Sequence, residues 1–143
     1  MRAAQPGFVH RLKPTPRAWF LLLLFAAAAW AEPPKDVLDF LRTAAENLAD
    51  QDPRGFLDHF DGDMPGYQML KDEIEALKYA DVESTVEIAT DEGDEQTRTM
   101  RLDWLMRVNG GMPKRQLVDC KLEKRGKKWK ITSFHPIEFF AQP

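Results

Sequence analysis

Residues Thr99 to Val108 read Thr-Met-Arg-Leu-Asp-Trp-Leu-Met-Arg-Val, and their alternation constrains the fold more than any other stretch. Met100, Leu102, Trp104, Met106 and Val108 share one side of a period-2 ribbon. Arg101, Asp103 and Arg107 share the other, with Leu105 the one exception. Successive side chains of a strand point to opposite faces, so this pattern predicts a strand with one buried face and one wet face. A buried face needs cover. Helical patterns upstream supply it, and strand patterns downstream supply partners. No stretch carries a specific catalytic, metal or nucleotide motif.

The first segment reads as a targeting signal and is set apart from the fold. Arg2, Arg11, Lys13 and Arg17 make a positive leader with no acidic residue, and Ala18 to Trp30 is a continuous apolar run. Ala29-Trp30-Ala31 gives the small-x-small pattern of a cleavage site, which places the cut before Glu32. A spanning helix needs about 20 apolar residues, and Pro16 and Pro33-Pro34 bracket a shorter run. The expectation is export to the periplasm or beyond, with no stable membrane anchor after cleavage. No cysteine sits at the new N-terminus to carry a lipid, and no twin arginine precedes the apolar run.

Residues 32–143 then form one domain of ordinary size. Its charge is divided: Glu32 to Glu95 holds 19 acids against 5 bases, and Gln96 to Pro143 holds 4 against 11. Attraction between the halves of one domain accounts for this, and a basic face for an anionic partner is the sharper alternative. Cys120 is the single cysteine, so no internal disulfide is available. It lies in phase with apolar neighbours, as a buried thiol would.

Val37, Leu38, Leu41, Ala44, Ala45, Leu48 and Ala49 recur at helical spacing after Pro33-Pro34, with Asp39, Arg42, Glu46 and Asp50 outside. Asp52-Pro53 supplies an N-cap and a first-turn proline for a short second helix, which buries Phe56, Leu57 and Phe60 and stops at Gly62. Asp63-Met64-Pro65-Gly66 is a turn. Tyr67, Leu70, Ile74 and Leu77 mark a third helix.

Four strands follow. Val82 to Thr90 turns at Asp91-Glu92-Gly93-Asp94; the Thr99 strand ends at Asn109-Gly110-Gly111; Arg115 to Lys124 turns at Gly126; and Trp129 and Ile131 open the last strand. Outer charges predict a register in which Arg101 faces Glu123 and Asp103 faces Lys121, since a slip of two would oppose like charges. Phe134, Ile137, Phe139 and Phe140 make an apolar tail beyond or around Pro136. The fold class is α+β: three N-terminal helices packed on a four-stranded antiparallel meander.

The long first helix, Asp52-Pro53 before a Phe-Leu-x-x-Phe second helix, and the closing strand Trp129-Lys130-Ile131-Thr132-Ser133-Phe134 resemble the nuclear transport factor 2-like superfamily, with its ketosteroid isomerase-like and cystatin-like members. The resemblance spans Lys35 to Phe140 as a pattern of elements. It implies a curved sheet wrapped around the helices to make a cone with an apolar pocket. Asp61 to Gly66 is too short for the hairpin usual between the second and third helices, which argues against full enclosure.

Enzymes of that family use an Asp, His or Tyr projecting into the cone. The inward sheet positions here are Val86, Ile88, Met100, Leu102, Trp104, Met106, Val118, Cys120, Leu122, Trp129 and Ile131, with no usual acid or base. The expected pocket lining is Tyr67, Leu102, Trp104, Met106, Val118, Cys120 and Trp129, suited to a small apolar ligand. Asp103 and Asp119 point outward as solvated carboxylates without catalytic tuning. His59 ends the second helix as a surface residue complementing its dipole. The nearby Asp58, Asp61 and Asp63 lack the ligand spacing of a calcium loop. His135 has no visible catalytic partner. No metal or cofactor is expected. Lys124-Arg125-Gly126-Lys127-Lys128-x-Lys130 is a basic hairpin tip, for which export argues against nucleic acid. Arg101, Leu105 and Arg107 on the wet face are the expected interaction surface, with the Phe139-Phe140 tail joining it in a homodimer through the sheet. The sequence thus points to an exported, non-catalytic binding or interaction domain. The alternatives are an isomerase- or dehydratase-like enzyme or carrier, and an assembly partner recognised through the basic face.

Overall fold

Helix α1, Lys35–Ala49, forms where the 3.6-residue apolar spacing predicts it, burying Val37, Leu41, Ala44, Ala45 and Leu48. It belongs to a computed structural model that describes residues 34–143; the leader and its cleavage site lie outside the described residues. Pro34 occupies the N-cap rather than the first turn. Gln51 follows α1 with φ 57°, and its Nε2 donates to the Ala80 carbonyl at 2.8 Å, tying the helix end to the start of the sheet. Helix α2, Pro53–Leu57, is capped as expected: the Asp52 carboxylate accepts from the Gly55 N–H at 2.9 Å. Helix α3, Tyr67–Glu75, buries Leu70 and Ile74, and Leu77 is buried in the turn beyond it. Among the described residues no helix is long and apolar enough to cross a membrane.

The sheet is the antiparallel meander β1 (Val82–Gly93), β2 (Thr97–Val108), β3 (Lys114–Arg125) and β4 (Lys128–His135), paired in that order. The first hairpin turns later than the sequence suggests. Asp91 remains inside β1 because Arg98 of β2 grips its carboxylate with two bonds, at 2.8 and 2.9 Å. Asp94 makes the turn instead, its Oδ1 accepting from the Gln96 and Thr97 N–H groups. The far edge of β4 is covered: Asp61 N–H donates to the Ile131 carbonyl and Ile131 N–H to the His59 carbonyl, both at 2.8 Å.

The β2–β3 register differs from the expectation. Arg101 faces Asp119 and Asp103 faces Leu117, with Glu123 opposite Thr97 and Lys121 opposite Thr99. Shifts by an even number of residues keep every inward side chain inward, so burial cannot discriminate among them. Charge cannot either, because the observed register is also complementary. Arg101 Nε bonds Asp119 at 2.9 Å, and Arg115 grips Asp103 diagonally, at 2.6 Å for its shortest contact. The loop between β2 and β3 supplies the missing constraint: Asn109 and Gly110 both have positive φ, and the Gly111 N–H donates to the Val108 carbonyl at 3.0 Å, which turns the chain so that β3 starts at Lys114.

Trp104 lies fully buried at the centre of the inner face. Phe140 meets it edge-on at a centroid distance of 5.4 Å, Phe134 at 6.0 Å and Phe56 of α2 at 6.3 Å. Such pairs add about 0.5–1.5 kcal/mol each beyond the area they bury. Phe139 and Phe140, expected at a dimer surface, are instead 2% and 0% exposed. Beyond Pro136 the chain turns into a 3-10 segment, Ile137–Phe140, packed against α3 and β4. Lys114 fastens the tail by donating to the Ala141 carbonyl at 3.1 Å. With two aromatic rings returned to the interior, the tail is core.

Candidate functional site

The inner sheet face brings together six of the seven expected lining residues. Leu102, Trp104, Met106, Val118, Cys120 and Trp129 are all buried in one continuous cluster. Tyr67 packs against the rim of that cluster rather than inside it. It is half-buried and borders an open cleft of about 680 Å³ between α2 and α3, beside Arg54, Lys71 and Lys78. Both inward indoles have protein partners: Trp104 Nε1 donates to Ser84 Oγ at 2.9 Å, and Trp129 Nε1 to the Asp36 carboxylate at 3.0 Å. Among the described residues no polar or charged residue other than Cys120 is counted in the buried set. Burial pushes the Cys120 thiol far above its ordinary value, which withholds the thiolate a nucleophile requires. The space a ligand would need is filled by Phe56, Phe134 and Phe140 around Trp104.

The outer face has a different character. Arg101, Leu105 and Arg107 lie on it as expected, with Arg101 bound to Asp119 and Arg107 to Glu83 at 3.3 Å. Leu105 is 40% exposed, and Leu117, 52% exposed, is its diagonal neighbour across β2 and β3. Sequence reasoning passed over Leu117, although its odd position in β3 places it on the same face as Asp119. A shallow depression of about 250 Å³ lies beside Leu105, between Thr85, Arg107 and Pro113. Two leucines framed by ion pairs therefore make a mixed patch suited to protein contact.

This arrangement has counterparts of known structure. An NTF-2-like protein of unknown function from Shewanella oneidensis MR-1 superposes with a TM-score of 0.63 at 13% identity, covering 72% of this chain and 97% of that one. The chain has the nuclear transport factor 2-like fold. A cystatin-like protein of unknown function from Nostoc punctiforme PCC 73102 gives a TM-score of 0.55 at 16% identity, over 69% of this chain and 85% of that one. A protein provisionally named a scytalone dehydratase, from Novosphingobium aromaticivorans DSM 12444, gives 0.59 at 13%, over 70% and 79%. The sequence matches no family model and no curated protein. At these identities the likeness is one of fold, and the nuclear transport factor 2-like fold hosts many unrelated functions.

Cys120 apart, the carboxylates and histidines of this nuclear transport factor 2-like domain lie outside its buried inner face among the described residues. The Arg115 hydrogen bond holds the Asp103 carboxyl below the usual range, which corrects the expectation of an unperturbed solvated acid and opposes any role as a base near neutrality. His59 is half-buried with its ring 4.7 Å from that of Phe40, rather than a surface residue. Its Nδ1 donates to the Gly55 carbonyl at 2.8 Å, and burial lowers its pKa. The ring thus serves the end of α2 by a hydrogen bond, not by charge. His135 is exposed and faces Asp119 in register. Glu73 of α3 carries no signal in the spacing of its neighbours: its Oε2 is buried without a partner, and burial, then the neighbouring Glu138, raises its pKa. Among the described residues no group of three or more His, Cys, Asp or Glu side chains is placed to hold a metal ion.

Proposed function

We propose that the chain is an exported, non-catalytic interaction domain that pairs with a second copy of itself through the outer face of its sheet. The observation that carries this reading is the contrast between the two faces. The inner one is filled by its own aromatic side chains and offers no tuned acid or base. The outer one presents Leu105 and Leu117 among arginines and aspartates, a mixture that a two-fold axis can make self-complementary. In this reading the sheet curves as in the nuclear transport factor 2-like cone, aided by bulges near Ala89 and Thr132. The leader, with its basic start and Ala29-Trp30-Ala31, supports export. An isomerase- or dehydratase-like enzyme or a carrier of a small apolar ligand is the second reading, favoured by the provisional name of the Novosphingobium protein. It requires the aromatic cluster around Trp104 to open.

Native mass spectrometry of the protein purified from its own host tests both halves of the proposal. The expected result is a chain beginning at Glu32 and present as a dimer without a retained small molecule. Leu105→Lys combined with Leu117→Lys should yield monomer with an unchanged circular dichroism spectrum, because both side chains are exposed and away from the core. A chain that keeps its leader contradicts export. A wild-type monomer, or a dimer that survives both substitutions, contradicts pairing through this face.

A further inference from the structure

The basic run at the β3–β4 hairpin has no role in the sheet-face interaction, and its surroundings give it one. Beside it lies a cleft of about 430 Å³ whose walls include the rings of Phe40, His59 and Trp129 and the side chains of Lys127, Lys128 and Lys130. The arginines of the outer sheet face are used up: Arg101, Arg107 and Arg115 each hold a carboxylate. Arg125, next to the cleft, is likewise committed to Asp61 at 2.6 Å. Among the described residues, none of Lys124, Lys127, Lys128 and Lys130 is in an ion pair. Lys124 sits over the Trp129 ring at 5.5 Å, and Lys130 donates to the backbone carbonyl of Asp58. Two acids border the cleft, yet Asp36 is engaged by the Trp129 indole, and Asp58 forms no ion pair with these lysines.

Like charges gathered on a concave surface create a positive potential that an anion relieves, and low-dielectric walls focus it. Ring walls add affinity for a flat organic body, on which a cation or another ring can also stack. His59 contributes a further polar group: with Nδ1 donating to the Gly55 carbonyl, Nε2 is the nitrogen left unused within the fold. We propose that this cleft between α1, the end of α2 and the β3–β4 hairpin binds a small ring-bearing organic molecule carrying a phosphate or sulfate group. The lysines engage the oxyanion and the half-buried rings of Phe40 and His59 contact the organic part, with the nearly buried Trp129 closing the floor of the cleft. The site is independent of the outer sheet face and of the dimer proposed there.

Calorimetric titration of the protein purified from its host, at low ionic strength, with phenyl phosphate, inorganic phosphate and phenol separates the contributions of charge and ring. Phenyl phosphate should bind at least about tenfold more tightly than either of the other two probes, and more weakly as salt is raised. Lys127→Gln combined with Lys128→Gln should weaken phenyl phosphate about tenfold or more, since charge-assisted bonds to an oxyanion are the strong ones. Lys121→Gln, on the outer face, should leave the affinity unchanged. Phenyl phosphate binding no better than phosphate or phenol overturns the proposal. Equal losses in the hairpin and Lys121 variants overturn it as well, because binding would then follow net charge alone.

Discussion

The ring of His59 packs at a tilt against Phe40 and gives its Nδ1 hydrogen to the Gly55 carbonyl; burial favours the neutral imidazole, and this hydrogen bond opposes it only in part. Burial, the largest cause, lowers its pKa from an unfolded value of 6.5. A folded state that binds the proton less readily than the unfolded one gains stability as pH rises. The His59 contribution is therefore complete above about pH 6.5 and is lost as pH falls from there through its lower folded value. Asp36, Asp61 and Asp103 are held low by Trp129, Arg125 and Arg115 respectively, so their contributions disappear only below about pH 4, as the carboxylates protonate. Urea unfolding at a series of pH values should show two successive losses on acidification, and His59→Gln should abolish the first and keep the second. Equal stability of the wild type at pH 7 and pH 5, or an unchanged first loss in the variant, contradicts this account of His59.

At the scale of the elements, β2 and β3 set the outer face, and their register decides which charges meet. A double-mutant cycle between Arg101 and Asp119 should return a coupling of about 0.2–1 kcal/mol, and one between Arg101 and Glu123 should return none. The reverse pattern would restore the register expected from sequence. That expectation failed for a definite reason. Inward and outward phases were legible because a period of 2 in β2 and of 3.6 in α1 record burial directly, and the Asp52 cap was legible because its chemistry is local. Register is not local. Shifts of two or four residues keep Leu102 and Val118 inward, and charge is complementary in more than one of them, so the conformation of the loop at residues 109–113 decides it. The fate of Phe139 and Phe140 was illegible for a related reason: an apolar tail suits an interface or a core, and only the return path after Pro136 chooses. On the candidate site, Arg101, Leu105 and Arg107 were readable from phase, and Leu117 could have been read the same way. The place of Tyr67 at the rim of the cluster depends on how α3 packs, which no spacing in the sequence records.

At the scale of the whole molecule, the interior of this nuclear transport factor 2-like fold is occupied by its own side chains, and the function proposed above falls to the outer surfaces. Trp104 and its neighbouring phenylalanines come from α2, β2, β4 and the C-terminal segment, so elements from across the domain converge on one point. Each fully buried ring of this size contributes about 1.5–3 kcal/mol. Opening a ligand cavity there would sacrifice several such contributions together. Cys120 projects into the same cluster, is 3% exposed, and is the single cysteine of the chain, so its reactivity reports on the interior without ambiguity. The decisive measurement is its rate of modification by a small aromatic disulfide reagent at about pH 8, in native buffer and in denaturant. A filled interior predicts one reactive thiol in denaturant and, in native buffer, modification slower by at least about 10³-fold, limited by unfolding. Rapid modification of the folded protein would mean an interior open to small molecules, and would contradict the account.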